Sequence, residues 1–393
     1  MAELDKRALH LQSVVQPIYE CLRCAFCFDL SWLGLANLCP AYAWGAFESY
    51  GARGRIAIAR ALLEGELEYD ESLIRRVFAC TECRACAEHC FKYIDTVAIF
   101  AAMREDLAAR GLIPPGLAAA ADGLAETHNL YGKPHERRLS WLKDRSRVDR
   151  PAPVAFFVGC TPSYVRRTLA RDTYAVLAAS GLRFTVLSDE WCCGHPFLAA
   201  GQHERAAEVM GHNVETLKAM SVERVVFECP GCMRAFREDV PEVLGEPLPF
   251  EIVHVTEEIA RQVEAGRLRF DVYQPGTVVT YHDPCTLGRG LGIYNAPRTI
   301  IEAMPGMRLA EMPRHERDAY CCGAGSFVRY DYADFTDRTG VERFKEAEST
   351  GAQIVLTACP ACVTQFQYIR SQSETEIQAM DLISLVKRIA RWR

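Results

Sequence analysis

A cysteine pattern that occurs twice in the second half of the chain constrains its fold more than any other feature. The first copy has Cys160, the adjacent pair Cys192 and Cys193 before Gly194, and Cys229-Pro230-Gly231-Cys232. The second has Cys285, the pair Cys321 and Cys322 before Gly323, and Cys359-Pro360-Ala361-Cys362. Matching cysteines are offset by 125, 129 and 130 positions (Cys160 to Cys285, Cys192 to Cys321, Cys229 to Cys359). Their flanks match too: VAFFVGC with VTYHDPC, EWCCGHP with AYCCGAG, VVFECPGC with VLTACPAC. Spacing held this evenly through a duplication points to a ligand cage, with five sulfurs gathered from three segments, twice.

The surroundings of these cysteines predict the fold that presents them. In the first copy, strands are expected at 154–159, 184–187 and 225–228, with helices at 164–179 and 204–220 and one after Cys232. In the second, strands are expected at 277–281, 309–312 and 354–357, with helices near 295–304 and at 335–349. Such alternation implies parallel sheets covered by helices. Each cysteine segment then follows the carboxyl end of a strand, the edge where open α/β sheets hold ligands. Gly194 and Gly323 suit a sharp turn beside a bulky group.

The chain has 393 residues and 18 cysteines. A net charge of −6 argues against a nucleic-acid partner. No apolar run is long enough to span a bilayer, and the start lacks a secretory h-region, so a cytoplasmic protein is expected, reaching a membrane only through a partner. In a reducing compartment, clustered thiols mean metal or redox chemistry and not a disulfide framework.

The first third carries its own thiol runs. A helix is expected over residues 2–20, with Leu4, Leu11, Val14, Val15 and Ile18 largely on one face. Cys21, Cys24 and Cys27 follow at two-residue gaps, then Cys39. Helices at 52–64 and 71–79 lead to Cys80, Cys83, Cys86 and Cys90. Three cysteines so spaced can wrap three corners of a cubane, and in two-cluster ferredoxins the fourth ligand comes from the other run. Cys21, Cys24, Cys27 and Cys90 are thus expected on one [4Fe–4S] cluster, and Cys80, Cys83, Cys86 and Cys39 on the other. Two structural zinc sites are the alternative, but zinc usually takes well-separated pairs.

The two quintets are too large for one zinc or an ordinary cubane, which suggests opened clusters in which some sulfurs bridge irons. Zinc at each CxxC pair plus two further thiols remains an alternative. A thioredoxin-like reading of Cys229/Cys232 and Cys359/Cys362 leaves the adjacent pairs idle. Residues 112–150 are expected to form a solvated connector, its basic tail 133–150 facing water and pinned by Trp141 and Leu142. The run Gly288-x-Gly290-x-Gly292 follows a cluster cysteine and reads as a turn, not a dinucleotide loop. The amphipathic C-terminus, DLISLVKRIARWR, has a counterpart in VTEEIARQVEAGRL. Both read as packing helices, with Asp381 and Thr256 as expected N-caps.

On these residues the chain resembles the heterodisulfide reductase catalytic subunit family, in the single-chain form that fuses a ferredoxin domain to two CCG domains. YHDPCTLGR and TGVERFKEAESTGAQIVLTACPAC also look like iron–sulfur subunits of sulfur respiration, of glycolate and lactate oxidases and of anaerobic glycerol-phosphate dehydrogenases. The resemblance implies an α+β multidomain protein. A helical two-[4Fe–4S] ferredoxin domain (1–111) and the connector (112–150) would precede two duplicated α/β CCG domains with parallel sheets (151–275 and 276–393). It implies noncubane [4Fe–4S] clusters on Cys160, Cys192, Cys193, Cys229, Cys232 and on Cys285, Cys321, Cys322, Cys359, Cys362, making four clusters and using every cysteine.

The activity implied is reduction or formation of a disulfide, with no catalytic residue beyond those ligands. His195 and His282 are expected to be structural. The alternative is a pure electron-transfer subunit. Implied partners are a flavin-containing or membrane cytochrome b subunit, ferredoxin, or a larger oxidoreductase such as a tungsten enzyme.

Overall fold

The computed structural model describes residues 10–30 and 37–392. Its two cysteine-rich repeats each build a four-stranded, all-parallel sheet. The first contains β1 (Val154–Phe157), β2 (Phe184–Thr185), β3 (Arg224–Phe227) and β4 (Glu251–His254), in the order β2-β1-β3-β4. After the short strand β5 (Leu268–Phe270) comes the second, with β6 (Thr277–Tyr281), β7 (Met307–Leu309), β8 (Ile354–Thr357) and β9 (Gln378–Asp381), in the order β7-β6-β8-β9. Helices cover the faces, so central strands are apolar throughout: β1 and β8 are buried at every residue. In both sheets the order reverses beside the first strand, and such a switch point opens a crevice at the carboxyl edge. Cys160 and Cys229 leave the two strands that flank it in one sheet, Cys285 and Cys359 in the other.

The fourth strands, β4 and β9, were not expected from sequence. Each runs directly into a terminal helix, Val255–Glu264 or Leu382–Ile389. Asp381 caps the second helix as expected, accepting from the Ile383 and Ser384 amides at 2.8 and 3.1 Å. The first is capped by His254, not Thr256. Its ring accepts from the Thr256 amide while Glu257 reaches back to the His254 amide at 2.9 Å, a capping box. The terminal helices are exchanged. Val255–Glu264 packs on Asn295–Glu302 of the second repeat, and Leu382–Ile389 packs on Arg167–Ala179 of the first. Strand β10 (Ala390–Trp392) then pairs antiparallel with β5, closing the exchange.

The N-terminal region is helical. Of the helix expected over 2–20, residues 2–9, and so Leu4, lie outside the described residues. The next elements are a 3-10 turn, His10–Val14, and the short helix Val15–Tyr19, with Leu11 and Ile18 buried. Helices Ala52–Glu64, Glu71–Phe78 and Thr96–Ala108 pack around Ile56, Val77, Phe100 and Met103.

The connector is not a solvated linker. Helix Pro115–Thr127 sends Ala121 and Leu124 into the core of the first repeat, and Gly116 and Leu117 donate backbone bonds to Asp331 of the second. Its basic tail is mostly turns; Leu139, Trp141 and Leu142 are buried, and Arg138 pairs with the fully buried Glu190. A cluster of apolar residues, Leu139, Trp141 and Leu142, overrides the charge of this tail. Among the described residues, no helix is long and apolar enough to cross a membrane.

Candidate functional site

Each first cysteine ends its strand loop and enters a single π-helical turn, Thr161–Val165 after Cys160 and Thr286–Gly290 after Cys285. Such wide turns are rare outside functional sites. The Gly288–Gly292 run lies in and just after the second turn. There a Cβ on Gly288 would stand 2.5 Å from the Tyr294 ring. Gly194 and Gly323 take φ of +86° and +92°, letting the chain reverse directly after each cysteine pair.

The five thiols of each copy meet. In the first, Cys192 lies against Cys160 and Cys193, and Cys193 and Cys229 both lie against Cys232. In the second, Cys321 neighbours Cys285 and Cys322, and Cys322 Sγ is 3.3 Å from Cys362 Sγ. Hydrogen bonds from Cys192 and Cys232 hold the Cys193 thiol well below its ordinary value, and Cys321 and Cys362 do the same for Cys322. The donors Cys192, Cys232 and Cys362 are pushed well up, by that sharing and by burial. Each quintet thus gathers mutually hydrogen-bonded, largely buried sulfurs, the soft donors that iron–sulfur clusters take. None of the cysteines is in a disulfide. The donor set fits iron–sulfur clusters.

The ferredoxin region forms two smaller cages. Cys21, Cys24, Cys27 and Cys90 line one cavity; Cys39, Cys80, Cys83 and Cys86 line another. Burial, then the charge of nearby Cys86, pushes the Cys27 thiol up. Burial raises Cys39 to about 11 against the pull of Arg55. Cys83 lies against Cys321 and is pushed well up by that contact first and burial second. Three of the four groups of thiols therefore form a series, from Cys24 at the surface through Cys27/Cys86 and Cys83/Cys321 to the second repeat.

Between the repeats lies one cavity of about 150 Å³. The whole first quintet lines it, together with Cys285, Cys322, Cys359 and Cys362 of the second. His195, Arg234, Glu82, Ser326 and Phe327 also line it. Burial and the adjacent Arg234 push His195 down to about 4, so the ring is neutral. His282 is fully buried and within 4.8 Å of the Cys322 and Cys362 sulfurs. Arg343 Nε donates to His282 Nδ1 at 3.0 Å, which leaves the ring proton on Nε2, facing the Cys322 thiol. His282 is thus a partner of the cage and not only a packing residue.

Sequence reasoning missed several residues that shape this wall. Arg104 is fully buried and reaches Glu82 at 2.8 Å and Ser326 at 2.6 Å, while Ser326 donates to Glu82 at 2.8 Å. Arg289 is buried against Cys83, donating to its carbonyl at 2.7 Å and to the Ala319 carbonyl at 2.6 Å. Glu190 accepts from the Val158 and Gly159 amides at 2.9 and 2.8 Å, setting the loop into Cys160. In the second repeat Asp283, bidentate to Arg298 at 2.8 and 3.0 Å, sits beside Cys285. The one advance signal was Glu190, an acid two residues before the Cys192–Cys193 pair.

Comparison with known proteins agrees with this architecture. The sequence matches the CCG cysteine-rich domain over residues 154–237 and 279–367, and a 4Fe-4S dicluster domain over 17–94. It is 34% identical to a subunit of the dihydromethanophenazine:CoB–CoM heterodisulfide reductase of Methanosarcina barkeri, covering 93% of this chain and 92% of that protein. The EtfAB:quinone oxidoreductase of Syntrophomonas wolfei is 26% identical, over 77% of this chain and 44% of its own length. The probable iron-sulfur-binding oxidoreductase FadF of Bacillus subtilis is 25% identical, over 81% and 48%. With both domain types matched and a relative aligned nearly end to end, the chain belongs to the heterodisulfide reductase family of iron–sulfur subunits.

Proposed function

We propose that the chain is the iron–sulfur subunit of a heterodisulfide-reductase-like complex, and that its central cavity is where a disulfide is reduced or formed. In this reading Cys21, Cys24, Cys27 and Cys90 hold one cubane and Cys39, Cys80, Cys83 and Cys86 the other. Each quintet holds a noncubane [4Fe–4S] cluster. The functional units are 1–111, 112–150, 151–275 and 276–393. When bound, the clusters supply electrons one at a time, whereas R–S–S–R′ takes up two electrons and two protons to give RSH and R′SH.

The observation that carries the reading is that both quintets open onto one cavity. A site for one-electron relay alone has no need to place two equivalent cages across a shared, mostly apolar space. Pro162, Pro196 and Phe327 line that space and limit water. Neutral His195 accepts from Arg234 at 3.2 Å, which places that cation in the cavity wall, and His282 holds its Nε2 proton toward the second quintet. The series from Cys24 to Cys321 favours electron exchange at the N-terminal region with a partner subunit. A flavin subunit, a membrane cytochrome b, ferredoxin or a tungsten enzyme all suit that role.

A second reading, electron transfer without bond breaking, is favoured by the quinone oxidoreductase and FadF relatives. The test is paramagnetic resonance on the anaerobic, oxidised protein with added thiols. Disulfide chemistry requires a new signal with at least one thiol, abolished by Cys193→Ser while the cubane signals remain. Indifference to every thiol leaves the relay.

A further inference from the structure

The two repeats meet along a second cleft, outside the thiol cavity, with a volume of about 590 Å³. That lies within the range of small-molecule sites. Arg166 and Arg167 of the first repeat face it, as do Arg370 and Arg388 of the second. The carboxylates in its wall are already engaged: Asp381 caps its helix, and Asp172 accepts from Ser384 Oγ at 2.7 Å. Among the described residues, none of the four arginines makes an ion pair. Arg166 is half-buried, yet its guanidinium is held by two neutral acceptors, Thr364 Oγ1 at 2.9 Å and Gln367 Oε1 at 2.8 Å. Burial pushes that guanidinium below its ordinary value.

A half-buried cation fixed by neutral groups, with three more around the same concavity, is arranged for a multiply charged anion. Guanidinium forks match phosphate oxygens in bidentate geometry. We propose that this cleft binds a phosphate-bearing small molecule, clamped between Arg166 and Arg167 on one repeat and Arg370 and Arg388 on the other. Four cations around one concavity of small-molecule size favour a small ligand over an acidic protein surface. The cleft is separate from the thiol chemistry, although the walls are shared. Helix Pro360–Ser371 lines the thiol cavity with Ala361 and Cys362 and the cleft with Gln367 and Arg370. The turn Thr161–Val165 likewise serves both. An occupant here would tie the two repeats together directly behind their cages.

Isothermal titration of the anaerobic, cluster-loaded protein with inorganic pyrophosphate, at low and constant ionic strength, tests this. One saturable site per chain is expected, at least tenfold weaker in Arg166→Gln/Arg370→Gln. Arg391→Gln, which removes a cation paired with Asp271 elsewhere, should leave it unchanged. Arg370 is exposed, so Arg370→Gln alone keeps the test valid if the double variant folds poorly; a loss of about threefold or more is expected. Absence of saturable binding, or equal affinity in all variants, overturns the proposal. So does binding of a polyglutamate peptide without pyrophosphate, which would make the cleft a protein-docking surface.

Discussion

Replacing Arg104 by methionine should be among the most damaging single changes available outside the cysteines. Its side chain is fully buried and joins three parts of the molecule. It pairs with Glu82 in the ferredoxin region at 2.8 Å, donates to the Ala199 carbonyl of the first repeat at 3.2 Å, and meets Ser326 of the second at 2.6 Å. A further bond runs to the Cys80 carbonyl at 3.0 Å. Removing one partner of a buried ion pair costs about 3–5 kcal/mol, and the two orphaned carbonyls move the expectation to the upper end. At roughly 2–4 °C per kcal/mol for a large domain, the melting temperature should fall by about 10–20 °C. Glu82→Gln alone should cost about 3 kcal/mol, since Arg104 keeps its neutral acceptors. The double variant removes both charges and should fall short of the summed losses by roughly 2 kcal/mol or more. The assay is anaerobic thermal unfolding followed by tryptophan fluorescence at one scan rate. A drop of under about 3 °C for Arg104→Met, or strict additivity in the double variant, would mean that this charge pair does not hold the three parts together.

Other perturbations probe separate parts of the molecule. At Gly323, φ is +92° and an added Cβ would stand 2.6 Å from the Thr336 carbonyl oxygen, whereas at Gly194 it would meet the flexible end of Met210 at 2.8 Å. Both alanine variants carry left-handed strain, but Gly323→Ala should lose about 1–3 kcal/mol more, seen as a lower melting temperature; equal losses would show the backbone there can move. Burial pushes Asp381 up to about 7, aided by Asp172 and opposed by its own capping bonds, with Glu228 facing it as well. Between about pH 4 and 7 the folded chain keeps a proton the unfolded chain has lost, so this contribution to stability falls as pH rises and is gone above about 7. Asp381→Asn keeps the cap and should flatten the dependence of melting temperature between pH 5.5 and 7.5; an unchanged slope counts against it. Cys39→Ser should lower iron from about sixteen to about twelve per chain and remove one cubane signal while sparing both noncubane ones. Loss of a noncubane signal alone would mean that the four thiols were grouped wrongly.

The thiol cages and the parallel sheets were legible because both leave local marks. Cysteine spacing is read directly, and β1, β3, β6 and β8 are short apolar runs between turn signals. Strands β4 and β9 were not legible: EIVH and QAMD carry a charge at each sheet edge and little alternation, and they form only because a neighbouring strand is already in place. The His254 cap went unseen because imidazole is a rare cap residue beside an available threonine. Buried charges were the harder loss. Arg104 lies in MREDLA, which reads as an exposed helical stretch, and Glu82 lies inside a cysteine run, where solvent exposure is the ordinary expectation. Each is satisfied only by groups from distant segments, so no window of sequence contains the pair.

The exchange of terminal helices explains why a duplication here gives one centre and not two. A repeat that buried its own last helix would close its own core and leave its cage free to face any direction. Here Val255–Glu264 completes the second repeat and Leu382–Ile389 completes the first, and β5 pairs with β10 across the axis between them. Neither core is complete without the other, so the carboxyl edges of the two sheets are held facing a common cavity. The near-symmetry ends at the contacts with the N-terminal region. Cys83 lies against Cys321 of the second quintet, while the ferredoxin residue at the first is Glu82, a carboxylate bound to Arg104 and not a sulfur. Among the described residues, the N-terminal thiols therefore make a sulfur-to-sulfur contact with the second repeat only. The first quintet meets the second across the cavity, so the shared space is what brings the two copies together and not merely a gap between them.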